Sequence, residues 1–65
     1  MADFDLDATR LGFANLTGLF EDAALIVCEG QGVMNLVDGR RRFKSLSTAM
    51  HQIRKRLVIL EGRLR

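Results

Sequence analysis

Phe43, Leu46, Met50, Ile53, Leu57, Leu60 and Leu64 follow one another at spacings of 3, 4, 3, 4, 3 and 4 residues. An α-helix puts residues at that rhythm on one narrow seam, the a and d positions of a heptad. A strand alternates its side chains with a period of two and cannot sort this set onto one face. The repeat runs unbroken over three heptads, and Leu36 stands one heptad earlier in phase. No proline interrupts the chain, so nothing removes a helical hydrogen bond or forces a kink. The pattern predicts a helix over residues 36–64.

The start of that helix has two candidates. Asn35 can serve as N-cap, with Asp38 three residues on completing an imperfect capping box. Alternatively Asp38 caps and Gly39 opens the helix. The second choice places Arg40, Arg41 and Arg42 in the first turn, where the helix macrodipole disfavours cations. The earlier start is therefore preferred.

The first half repeats as well. Leu6, Phe13, Phe20 and Val27 fall seven apart, with Thr9, Leu16 and Ala23 at the d spacing. This stripe is broader: Leu19 and Ile26 widen it on one side, Ala24 on the other, and Leu11 and Leu25 lie further round. Only the side carrying Asn15, Glu21, Asp22 and Glu29 is clearly polar. The reading is a helix over residues 7–29, capped by Asp5 or Asp7 and closed by Gly30 at C′. Gly12, Gly18, Ala23 and Ala24 would permit close helix approach. Val27 and Phe43 are 16 residues apart, two more than two heptads. A turn over residues 30–35 fits that phase break better than one long bent helix. The expected fold is all-α, a two-helix antiparallel hairpin. The alternative is α-β-β-α, with the β-prone stretches 25–28 and 33–37 joined at Gly30-Gln31-Gly32 as a hairpin.

With 65 residues, one domain is the limit, and a core of this size buries only roughly 60% of the unfolded chain's surface. Such scaffolds usually carry a staple: a disulfide, a metal or a partner chain. One cysteine, Cys28, excludes an intramolecular disulfide. Cys28 and His51 do not make a four-ligand zinc set, so no metal and no cofactor is expected. Association remains. The hairpin is expected to pair with itself as a homodimer, giving a dimeric four-helix bundle. Its self-association seam would be Phe13, Leu16, Phe20, Val27, Phe43, Leu46, Met50, Ile53, Leu57, Leu60 and Leu64. The flanking arginines of the second helix do not complement themselves, so packing on an acidic first helix is preferred to a parallel zipper.

The net charge of +2 conceals a split. Residues 1–39 carry seven acids against Arg10, a net of −6, while residues 40–65 carry nine bases against Glu61, a net of +8. Such asymmetry marks either a polyanion-binding segment or two halves that pack on each other. Arg41, Lys44, Thr48, His51 and Lys55 fall at 3, 4, 3 and 4, one outward ridge with Arg40, Arg42, Arg54 and Arg56 on its shoulders. Arg40, Arg41, Arg42, Lys44, His51 and Lys55 are the candidate polyanion- or partner-binding residues. Against nucleic acid stand the lack of Tyr and Trp for base stacking and the absence of any recognisable DNA- or RNA-binding motif.

Other chemistry is weakly represented. His51-Gln52-Ile53-Arg54-Lys55-Arg56-Leu57 resembles the phosphoacceptor helix of dimeric histidine kinases over these seven residues. That family presents a solvent-facing histidine on a four-helix-bundle dimer. Gln52 stands where the family has an acid, and its following proline is missing. The resemblance implies a phosphotransfer role for His51, the third-ranked reading. Cys28, beside Glu29, lacks the electropositive setting of a reactive thiol and reads as a semi-buried structural residue. Val58 and Ile59 fall on the outer side of the second helix and, with Leu11 and Leu25, suggest a further contact surface.

No catalytic residue is assigned, and an enzyme is not expected. The longest wholly apolar run, Ala23 to Cys28, is far short of the roughly 20 residues of a membrane span, so no membrane insertion is expected. The acidic start of the chain is unlike a secretory leader, and the expected location is cytoplasmic. The functional expectation is a small non-enzymatic regulatory protein. It self-associates and binds a protein partner through its basic, apolar second helix, with nucleic-acid binding through the same ridge as the alternative.

Overall fold

The computed structural model describes the backbone of residues 3–64 and the side chains of residues 6–64. It is an antiparallel pair of helices, α1 (Asp3–Gln31) and α2 (Leu36–Leu64), packed along their length. The described residues contain no strand, so the α-β-β-α alternative is not adopted. Residues 25–28, β-prone in isolation, lie inside α1.

α2 begins where the sequence places it. The Asp38 amide donates to Asn35 Oδ1 at 2.9 Å, and Asn35 Nδ2 donates to Asp38 Oδ2 at 3.2 Å. The Gly39 amide donates to the Asn35 carbonyl at 3.1 Å. Asn35 is thus the N-cap, and Asp38 supplies the acid of the first turn, which the macrodipole favours.

α1 is longer at both ends than its stripe suggested. It starts at Asp3, so Asp5 and Asp7 fall within its first turns and not at the cap. At the other end it runs through Gly30 to Gln31, and no described glycine has a positive φ. Gly30 is therefore not a left-handed C′ residue. The helix closes by tightening: Gly32 N donates to Glu29 O at 3.1 Å, and Val33 N to Gly30 O at 3.4 Å. Such i to i+3 bonds satisfy the last carbonyls without a left-handed residue.

The contact between the two helices uses only part of the two heptad sets. Leu16, Ala23, Ile53 and Leu60 are buried, with Leu19, Leu46 and Ala49 packed against them. Thr9, Gly12, Ile26 and Gly30 complete the contact row of α1 as partly buried residues. That row has the 3, 4 rhythm, but it turns Phe13, Phe20 and Val27 out of the interface. In α2 the set divides in the same way: Leu46, Ile53 and Leu60 face α1, while Phe43, Met50, Leu57 and Leu64 stay exposed.

The physical reason is side-chain size. Glycine and alanine at Gly12, Ala23 and Ala49 let the two backbones approach. A phenylalanine in the row would hold them apart. At Gly12 the approach is closest, since a Cβ there would lie 3.0 Å from Leu60 Cδ1. Gly18 has no such neighbour within 4 Å and plays no part in the approach.

Candidate interaction surfaces

The residues excluded from the seam form a surface of their own. Leu6, Phe13, Phe20 and Val27 sit about a fifth of a turn to one side of the α1 contact row, as helical geometry of 3.6 residues per turn requires. Phe43, Met50, Leu57 and Leu64 have the same offset on α2. In an antiparallel pair equal offsets fall on the same side, and Val27 and Phe43 do line one recess together. One long face of the hairpin therefore carries eight large apolar side chains. Their exposures run from 38% at Met50 to 71% at Phe43.

The two rows are also level with each other. Glu29 reaches Arg42 at 3.3 Å near the turn, and Gly12 meets Leu60 near the open end. Counting from these anchors sets Leu6 beside Leu64, Phe13 beside Leu57, Phe20 beside Met50 and Val27 beside Phe43. The face is built as four apolar layers.

The opposite long face is mixed. Ala8, Leu11, Gly12, Asn15, Arg56, Ile59, Leu60 and Arg63 line a small recess there. Leu11, Leu25, Val58 and Ile59, read from sequence as a contact surface, are all exposed. Val58 and Ile59 line a shallow depression with Gln52, Lys55 and Arg56.

The candidate basic residues lie on α2. Arg40, Arg41, Lys44, His51 and Lys55 are exposed. Arg42 departs from the set because its guanidinium is held by the Glu29 carboxylate, each side chain a little under half exposed. So part of the positive run neutralises α1, as the packing reading of the charge split requires. Arg40, Arg41, Lys44 and Lys55 form no ion pair with a described residue. Thr48, in the middle of the ridge, turns its hydroxyl back onto the Lys44 carbonyl at 3.1 Å.

Cys28 is exposed, a correction to the semi-buried position expected from its apolar neighbours. Its place on α1 is opposite the contact row, so the apolar run before it faces three directions at once. Among the described residues no group of three or more His, Cys, Asp or Glu side chains is placed to hold a metal.

α1 raises one point that the longest apolar run does not. Within Leu6–Gln31 an 18-residue stretch reaches a mean hydropathy of 1.4, so the helix is long and apolar enough to cross a membrane by length and composition alone. Interspersed Gly, Thr and Asn break the run without making the helix strongly polar. Glu21 and Asp22 lie within it, and an aspartate at the centre of a spanning helix costs about 2.5–3.5 kcal/mol.

No family model, no curated protein and no solved structure matches this chain.

Proposed function

We propose that the chain is a small non-enzymatic interaction protein. It self-associates through the layered apolar face and binds a protein partner through the basic and apolar surface of α2. The observation that carries the reading is the face itself: eight large apolar side chains on one side of a hairpin that buries only four described side chains. Contiguous apolar patches of this kind mark association sites in soluble proteins. The helix pair extends 53 by 15 Å, comparable with the roughly 800 Å² per partner that stable complexes bury. Pairing two such faces gives a four-helix bundle.

Leu57→Asp tests the self-association. The variant is expected to lose the dimer mass in light scattering at micromolar concentration, with or without loss of helix. A wild-type chain that is monomeric and fully helical under the same conditions would refute this part.

A second reading rests on the ridge. Arg41, Lys44 and Lys55 are exposed cations without a described ion-pair partner, and a row of such charges suits a phosphate backbone. Binding to random duplex would then fall steeply with salt and be lost in Arg41→Glu with Lys44→Glu. If duplex DNA and RNA cause no shift at low salt, the nucleic-acid reading is removed and the protein-partner reading stands.

A further inference from the structure

We infer that the occupant of the apolar face is a second copy of this chain, docked so that both turns lie at the same end of the bundle and each α1 packs on the partner's α2. The inference rests on the self-association proposed above and adds the orientation. Two-fold pairing of one face with itself allows two full-overlap arrangements. In the first, the axis runs along the helices, and α1 meets the partner's α2. In the second, the axis runs across them. The turns then lie at opposite ends, α1 meets the partner's α1, and α2 meets the partner's α2.

Side-chain size separates the two. With turns together, each layer meets its own copy: Leu6 opposes Leu64, Phe13 opposes Leu57, Phe20 opposes Met50, and Val27 opposes Phe43. Every aromatic ring faces an aliphatic chain, the large-against-flexible pairing that fills an interface without voids. With turns apart, Phe13 meets Phe20, while Leu57 meets Met50 and Leu6 meets Val27. Phe43 meets Leu64, so four of the six rings on the paired faces crowd the α1 half of the bundle and two stand in the α2 half.

Charge separates them in the same direction. Among the residues whose side chains are described, α1 carries Asp7, Glu21, Asp22 and Glu29 against Arg10, and α2 carries eight bases against Asp38 and Glu61. Turns together sets an acidic helix over a basic one, twice. Turns apart sets α2 on α2, with Arg54 at mid-height next to its own copy. Like charges brought together in this way select against an arrangement.

The orientation has a functional consequence. Turns together gathers Arg40, Arg41 and Lys44 of both copies at one end, around Met34, Leu36 and Val37, which are 92%, 77% and 63% exposed. The dimer then has a single basic, apolar-tipped end for an acidic protein partner. Turns apart would divide it into two half-sites.

Cross-linking reads the orientation. In a Cys28→Ser background, Ala24→Cys and Ser47→Cys are made as separate chains, and Thr17→Cys as a third; all three positions are exposed. Ala24 and Ser47 flank the apolar face at matching heights, so turns together brings one copy's position 24 beside the other's position 47. Mixed chains with a short bismaleimide should give the 24–47 heterodimer, while Thr17→Cys alone should give none. Turns apart predicts the reverse, because Thr17 at mid-height then meets its own copy, and that result would overturn the orientation. Light scattering on the same samples separates the two claims. A dimer with the wrong cross-link defeats only the orientation. A monomer, whether free or recovered on anionic lipid vesicles, defeats the self-association beneath it.

Discussion

Gly12 lies so close to Leu60 that a Cβ on the glycine would stand 3.0 Å from Leu60 Cδ1. This is the tightest approach of the two helices at any glycine, and it sits in the same row as Leu16 and Ala23. Gly18, six residues along the same helix, meets nothing within 4 Å. The two glycines should therefore respond in opposite ways. Gly12→Val is expected to lower stability by about 1–3 kcal/mol through overpacking. Gly18→Ala is expected to raise it by about 0.5–1 kcal/mol through helix propensity and a less free unfolded chain. Urea midpoints at fixed protein concentration compare them, and a stabilising Gly12→Val would show that the seam is not as close as described.

Ile53 is the most deeply buried side chain described, at 2% exposure. Ile53→Ala removes its branch from the middle of the seam and should cost about 2–5 kcal/mol. Val58→Ala, on the outer side of α2 at 72% exposure, should change stability by no more than about 0.5 kcal/mol. Circular dichroism melts of the two would expose an error in the helix rotation if the costs were equal.

The cap at Asn35 can be tested alone. Asn35→Ala deletes the side-chain acceptor for the Asp38 amide, and the expected loss is about 0.5–2 kcal/mol. Asn35→Asp keeps an acceptor and should retain most of the stability. Equal losses in both variants would mean that the 2.9 Å bond contributes little.

The Arg42–Glu29 pair is a weaker link. Both side chains are more than 40% exposed, so solvent screens them, and a double-mutant cycle should return no more than about 1 kcal/mol. The coupling should shrink further in high salt. A larger, salt-insensitive coupling would place the pair in a drier setting, such as an interface with another chain.

How much of this was legible in the sequence can be followed residue by residue. The second helix was plain from Phe43 to Leu64, because three heptads of large aliphatics admit only one periodicity. The Asn35 cap was legible too, since the rival start put three arginines against the macrodipole. What the pattern did not reveal was which half of each stripe faces inward. Hydrophobicity ranks Phe13 and Phe20 above Gly12 and Ala23, yet the inner row needs thinness more than oiliness. Two adjacent apolar rows serve two different neighbours here, and a heptad count merges them. Cys28 was misjudged for a related reason: an apolar run inside a helix points all round its axis. The basic ridge could be placed on the outer side of α2, but the loss of Arg42 to Glu29 depends on the height at which the two helices meet, which no spacing within one helix encodes.

The thin seam also bears on how such a chain would behave in a cell. Four described side chains are buried and eight large ones lie open along one face, so under the self-association proposed above, ordering of the hairpin and pairing of two copies would be nearly the same event. The folded fraction would then follow the amount of chain made. Newly made copies at low abundance would be open to proteases, and those above a threshold would shelter one another. The protein's level would thus act as its own switch.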